Sequence, residues 1–172
     1  MERFGQITLF RNLLKYGPII LLFVSVLNEF DFNYLGLKYF SFNFPFILIF
    51  YWSLKKSEIL GHGLIFLAGL INDVVVGLPI GISCLSYLLI CGFTAYLKNI
   101  TLRPSIFRDW LFFLLTILFV NSLTYSLLVL FFLVKLNYAD LLVNLLFTFL
   151  CYVIFANLFG IYHKLAFERK DD

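Results

Sequence analysis

The stretch Gly69-Leu70-Ile71-Asn72-Asp73-Val74-Val75-Val76-Gly77-Leu78-Pro79-Ile80-Gly81 sets one carboxylate inside an apolar run and follows it with two glycines and a proline. Gly69, Asp73 and Gly77 recur every four residues, so on a helix they share one face, where missing side chains let a second helix come close. Gly77 is suited to end that helix and Pro79 to open the next, with Leu78 alone between them. The stretch therefore reads as a tight turn between two packed helices. Asp73 is the only acidic residue well inside a long apolar run. A carboxylate facing lipid is costly, so it must face protein or water, or be protonated. It reads first as a cap hydrogen-bonded to the turn near the outer surface, then as a partner contact, and last as a proton or cation relay. A relay needs further intramembrane charges along a path, and no other acidic residue or Arg lies deep in an apolar run.

The surroundings of this stretch are apolar as well. Of 172 residues, 62% are hydrophobic and 13% charged, with a mean hydropathy of +0.97. A soluble domain of this size has too little interior for so many apolar side chains, so lipid must be the solvent for much of the surface. The fold class expected is an all-α integral membrane protein with six transmembrane helices in one polytopic domain, 1–172. The spans fall at about 16–27, 35–54, 59–76, 78–97, 110–134 and 139–162. Little chain is left for an extramembrane catalytic domain, and the net charge of +3 does not argue for nucleic acid.

The first run follows Arg3, Arg11 and Lys15 like a signal peptide, but Asn28-Glu29-Phe30 lacks the small-residue cleavage pattern, so a retained span is expected. The second run has a clean apolar part of only 44–54, about half of what a bilayer needs. Charge decides whether it crosses. With six spans and the N-terminus inside, eleven basic residues fall inside: Arg3, Arg11, Lys15, Lys55, Lys56, Lys98, Arg103, Arg108, Lys164, Arg169 and Lys170. Only Lys38 and Lys135 fall outside. Removing the second run weakens this division, so both termini are expected on the cytoplasmic side of the membrane. Pro45 then sits in the first turn of that helix with Asn43 as its cap. Phe30, Phe32, Tyr34, Tyr39, Phe40 and Phe42 read as an outer aromatic belt, and Tyr51, Trp52, Trp110 and Tyr162 as an inner one.

Other polar residues carry less. Asn121, Thr124, Asn144, Thr148 and Asn157 read as interhelical hydrogen-bonding glue. Cys84, Cys91 and Cys151 lie in apolar runs and behave as small hydrophobes. Cys84 and Cys91 share a face two turns apart, too far for a disulfide. His62 and His163 have no Ser or Cys nucleophile at helical spacing. No catalytic residue, cofactor or metal site is expected.

Three segments together carry a family resemblance. They are Phe44-Pro45-Phe46-Ile47-Leu48-Ile49-Phe50-Tyr51-Trp52-Ser53-Leu54, then Phe66-Leu67-Ala68-Gly69-Leu70-Ile71-Asn72-Asp73, then Gly77-Leu78-Pro79-Ile80-Gly81-Ile82-Ser83. In order and spacing they resemble the bacterial rod shape-determining protein MreD family: a Pro-led apolar strip ending in Tyr-Trp, Gly-Leu-x-x-Asp, and Gly-x-Pro-x-Gly. The resemblance covers about 40 residues directly. It implies a non-enzymatic inner-membrane scaffold of the cell-wall elongation complex, paired with the single-span protein MreC and through it linked to MreB, RodA and RodA's partner transpeptidase. It makes Pro45, Tyr51, Trp52, Gly69, Asp73, Gly77, Pro79 and Gly81 the packing or partner motif, and leaves self-association open. It also implies a fold similar to the membrane substrate-binding subunits of energy-coupling-factor transporters. A vitamin-binding subunit of that kind is the alternative. Such subunits usually carry an Ala-x-x-x-Ala patch on the first span, and this chain has no alanine before Ala68.

Overall fold

The computed structural model describes residues 16–27, 42–56, 58–100, 105–133 and 138–164. Among these residues there are six helices and no strand. They are α1 (Tyr16–Leu27), α2 (Phe44–Lys56), α3 (His62–Val76), α4 (Ile82–Ile100), α5 (Ile106–Phe132) and α6 (Tyr138–His163). The start of the second expected span, 35–41, and the basic residues Lys38 and Lys135 lie outside the described residues. So does the expected outer belt except Phe42, whose ring stacks on Phe155 of α6 at 5.7 Å.

α2 is the axis of the bundle. Every residue from Phe44 to Ser53 is buried, and α2 packs against both α4 and α6. Its 13 residues extend only about 20 Å at the helical rise, which suits a helix covered on all sides by protein. The Asn43 side chain caps it loosely, accepting from Phe46 N–H at 3.4 Å, and Pro45 lies in the first turn, where its missing N–H is harmless. Phe50 meets Phe113 of α5 and Tyr152 of α6 at 5.1 and 5.7 Å. α4 joins α3 on one side and α5 on the other, and α1 contributes Leu22 and Val26 to the core.

Tyr51 and Trp52 correct the sequence reading. They are 5% and 1% exposed, so they are core side chains and not part of an interfacial belt. Trp52 is ringed by Phe159, Tyr162 and His163 at 6.3, 6.1 and 6.0 Å. Tyr162 in turn lies over α1, where any side chain at Gly17 would collide with its hydroxyl. Trp110 stacks flat on Phe149 at 4.4 Å and donates its indole N–H to the Phe149 carbonyl. These aromatic residues thus join helices to one another.

Helix association in lipid gains little from apolar burial alone, so close packing and interhelical hydrogen bonds matter more. Two of the expected glue residues supply such bonds. Thr124 pairs with Ser86 across α5 and α4 at 2.8 Å, and Thr148 of α6 accepts from the Asn43 N–H at 2.9 Å. Asn157 instead faces outward.

α5 and α6 are long and apolar enough to cross a membrane, and α1 and α3 are shorter apolar helices. α6 turns a ridge outward at every fourth residue: Leu142, Leu146, Leu150, Ile154 and Leu158 are each more than half exposed.

Candidate functional site: the hairpin between α3 and α4

α3 ends where its sequence directs. Gly77 adopts a left-handed conformation (φ 74°, ψ 28°) and donates its N–H to the Asp73 carbonyl, the form of helix end that glycine tolerates best. Leu78 N–H reaches the same carbonyl at 2.9 Å. Pro79 does not open α4, as its place after Gly77 suggests. It lies in the turn, its carbonyl accepting from Ile82 N–H at 3.3 Å, and α4 begins at Ile82. The delay arises because Gly81, at φ 107°, swings the chain round before the helical dihedrals begin.

Asp73 governs that swing. Its side chain is fully buried. One carboxylate oxygen accepts from Gly81 N–H at 2.7 Å and the other from Ser83 N–H at 2.8 Å. The first N–H groups of any helix lack intrahelical partners, and here a residue of the preceding helix supplies them, its negative charge set against the positive end of the α4 dipole. Next to it, Asn72 donates to the Ser83 hydroxyl at 2.8 Å. The backbone carbonyl of Asp73 thus closes α3 while its carboxylate starts α4.

Gly69, one turn earlier, sets the distance between the two helices. A Cβ placed there would lie 2.5 Å from Cys84 Cα and 2.7 Å from Cys84 N, so the backbones touch with no intervening side chain. Gly77 does not share this role. Nothing lies within 4 Å of a Cβ built on it, and its need for glycine is conformational. Gly77→Leu is therefore expected to cost about 1–2 kcal/mol through the left-handed backbone, while Gly77→Asn, which tolerates that region, stays close to wild type in thermal unfolding. Equal loss in both would reinstate a packing role.

Of the eight motif residues, Gly69, Asp73, Gly77, Pro79 and Gly81 come together in this hairpin. Pro45, Tyr51 and Trp52 stand on α2, which meets the hairpin's second helix through the Phe46–Tyr87 ring pair at 5.9 Å and the Ser53–Cys91 contact at 3.6 Å. Cys84 and Cys91 are free and buried. Two residues had no role legible in the sequence. Ser83 is a partner of both Asn72 and Asp73, ten positions from Asp73, which no single-helix periodicity reveals. Asp109 is only 6% exposed in the first turn of α5. Its signal was its position just before Trp110, at the edge of the apolar run.

Among the described residues no group of three or more His, Cys, Asp or Glu could hold a metal ion. A groove of about 620 Å³ runs between α5 and α6, lined by apolar side chains together with Asn121, Ser122, Ser126, Tyr125 and Tyr138. No family model matches the chain, and no curated protein or solved structure shows significant similarity to it.

Proposed function

We propose that this chain is a six-span, non-enzymatic scaffold subunit of the bacterial cell-wall elongation complex, of the MreD kind, seated in the inner membrane with both termini cytoplasmic. It pairs with MreC and through it couples to MreB, RodA and the partner transpeptidase. The observation that supports this reading is that the separate segments carrying the resemblance form one connected unit: the Pro45–Trp52 strip is the buried axis, and the Gly-Asp-Gly-Pro-Gly residues build a single clamped hairpin packed on it through α4. The outward ridge of α6 suits lipid contact, since it offers no small residues for a close helix neighbour. The alternative, a vitamin-binding subunit, needs convergent polar groups in an apolar cavity, and the observation that favours it is the α5–α6 groove, whose polar side chains are Asn121, Ser122, Tyr125, Ser126 and Tyr138.

The test is genetic and biochemical. In rod-shaped cells lacking their own subunit of this type, the chain is expected to restore rod shape and to co-purify with the single-span partner. Rounded cells despite normal membrane levels would sink the proposal. Topology is checked separately by cysteine labelling. Positions 38, 78 and 135 are expected to react from outside, and 56 and 103 from inside. Labelling of position 56 from outside would mean that α2 does not cross.

A further inference from the structure

Arg108, the third residue of α5, carries a donor edge that finds no acceptor among the described residues. Its Nε and Nη2 are buried and have no hydrogen-bond partner among the described residues. These two nitrogens lie on one side of the guanidinium, the side that offers two parallel N–H donors to a carboxylate or phosphate. Arginine keeps its proton, so a desolvated charged edge without an acceptor is strongly unfavourable. In a folded protein such an orphan calls for an ion or water that supplies the missing acceptor. Asp109 is adjacent, buried, and within electrostatic reach of both Arg108 and Lys55, yet it accepts from neither orphaned nitrogen. One carboxylate is thus shared between two cations, Lys55 and Arg108.

We infer that Arg108 binds a phosphate group through this edge, at the end of the bundle where Lys55 and Lys56 also close α2. The inference rests on the reading that α5 crosses the bilayer with its first turn at the inner face. That depth is where phospholipids carry their phosphates, and basic sites there bind anionic head groups. Arg108 keeps part of its surface open, so a turn of its own torsions uncovers the edge. The phosphate belongs either to a lipid head group or to free phosphate.

The experiment uses the full chain in maltoside micelles and follows tryptophan quenching, because Trp110 stands two residues from Arg108. The probes are phosphatidylglycerol and a phosphate-free galactolipid carrying the same brominated acyl chains. Phosphatidylglycerol is expected to quench at about tenfold lower concentration. Arg108→Gln, checked for unchanged helix content by circular dichroism, is expected to abolish that preference. Arg108→Lys, which keeps the charge but loses the two-donor edge, is expected to retain only part of it. Millimolar inorganic phosphate erasing the preference marks a site for free phosphate, and its persistence marks a lipid site. Equal quenching by both lipids, or an undiminished preference in either variant, overturns the inference while leaving the membrane reading intact. Absence of quenching by either lipid removes the membrane reading itself.

Discussion

Gly69→Ala is expected to lower the stability of the protein by about 2–3 kcal/mol, the upper range for forcing extra atoms into a close-packed site. The new carbon would lie 2.5 Å from Cys84 Cα and 2.7 Å from Cys84 N. Both atoms are backbone, so α4 must move as a body to make room. From the sequence alone, alanine looks the mild change and leucine the damaging one. The geometry removes most of that difference, because the first added carbon already collides. Two controls follow. Cys84→Ala relieves only the Sγ contact at 3.1 Å and is expected not to rescue Gly69→Ala. Gly92→Ala, on α4 with open space around it, is expected to be neutral or to stabilise by about 0.5–1 kcal/mol. Thermal unfolding in detergent and the level of protein in membranes are the measurements. A wild-type midpoint for Gly69→Ala would show that the two backbones do not touch.

The second large effect is at Asp73. Alanine there deprives two N–H groups, those of Gly81 and Ser83, of their acceptors in a site closed to solvent. Hydrogen bonds to charged groups contribute about 1.5–3 kcal/mol each, so a loss of about 3–5 kcal/mol is expected. Asparagine looks nearly equivalent on sequence grounds, since it keeps the size and one oxygen. The structure lowers that expectation, because both carboxylate oxygens accept. An amide keeps one bond and turns a donor toward the other N–H, so about half the loss is expected. The order Asp, Asn, Ala should hold for unfolding midpoint, membrane level and co-purification with the one-span partner. Were Asn and Ala both to fold with unchanged stability and yet fail to support rod shape, the clamp would be irrelevant and a proton relay would become the better account.

These expectations show where sequence reading is strong. Apolar runs of helical length fix where helices must form, since in lipid every backbone polar group has to be satisfied within its own segment. The helix end at Gly77 was legible because a left-handed residue is required there and glycine adopts it freely. That Asp73 could not face lipid as an unpaired carboxylate followed from the cost of that charge in an apolar run, and the structure supplied its partners, the N–H groups of Gly81 and Ser83. All of these are local facts about one segment and its solvent.

What lies across from a residue is not local. Tyr51 and Trp52 match the interfacial pattern by composition, and only the arrival of α6 around α2, with Phe159, Tyr162 and His163, makes them core. The glycines at 69 and 77 are alike on a helical wheel, yet one meets the Cys84 backbone and the other meets open space. Ser83 becomes a partner of Asp73 only because Gly81 turns the chain back. The sequence by itself determined which segments are helices, that two of them are long and apolar enough to cross a membrane, and that the turn after Asp73 is tight. The tertiary structure decided which faces touch, which oxygen each N–H finds and which aromatics are enclosed, because packing depends on the relative placement of helices and one segment's periodicity carries no record of its neighbour.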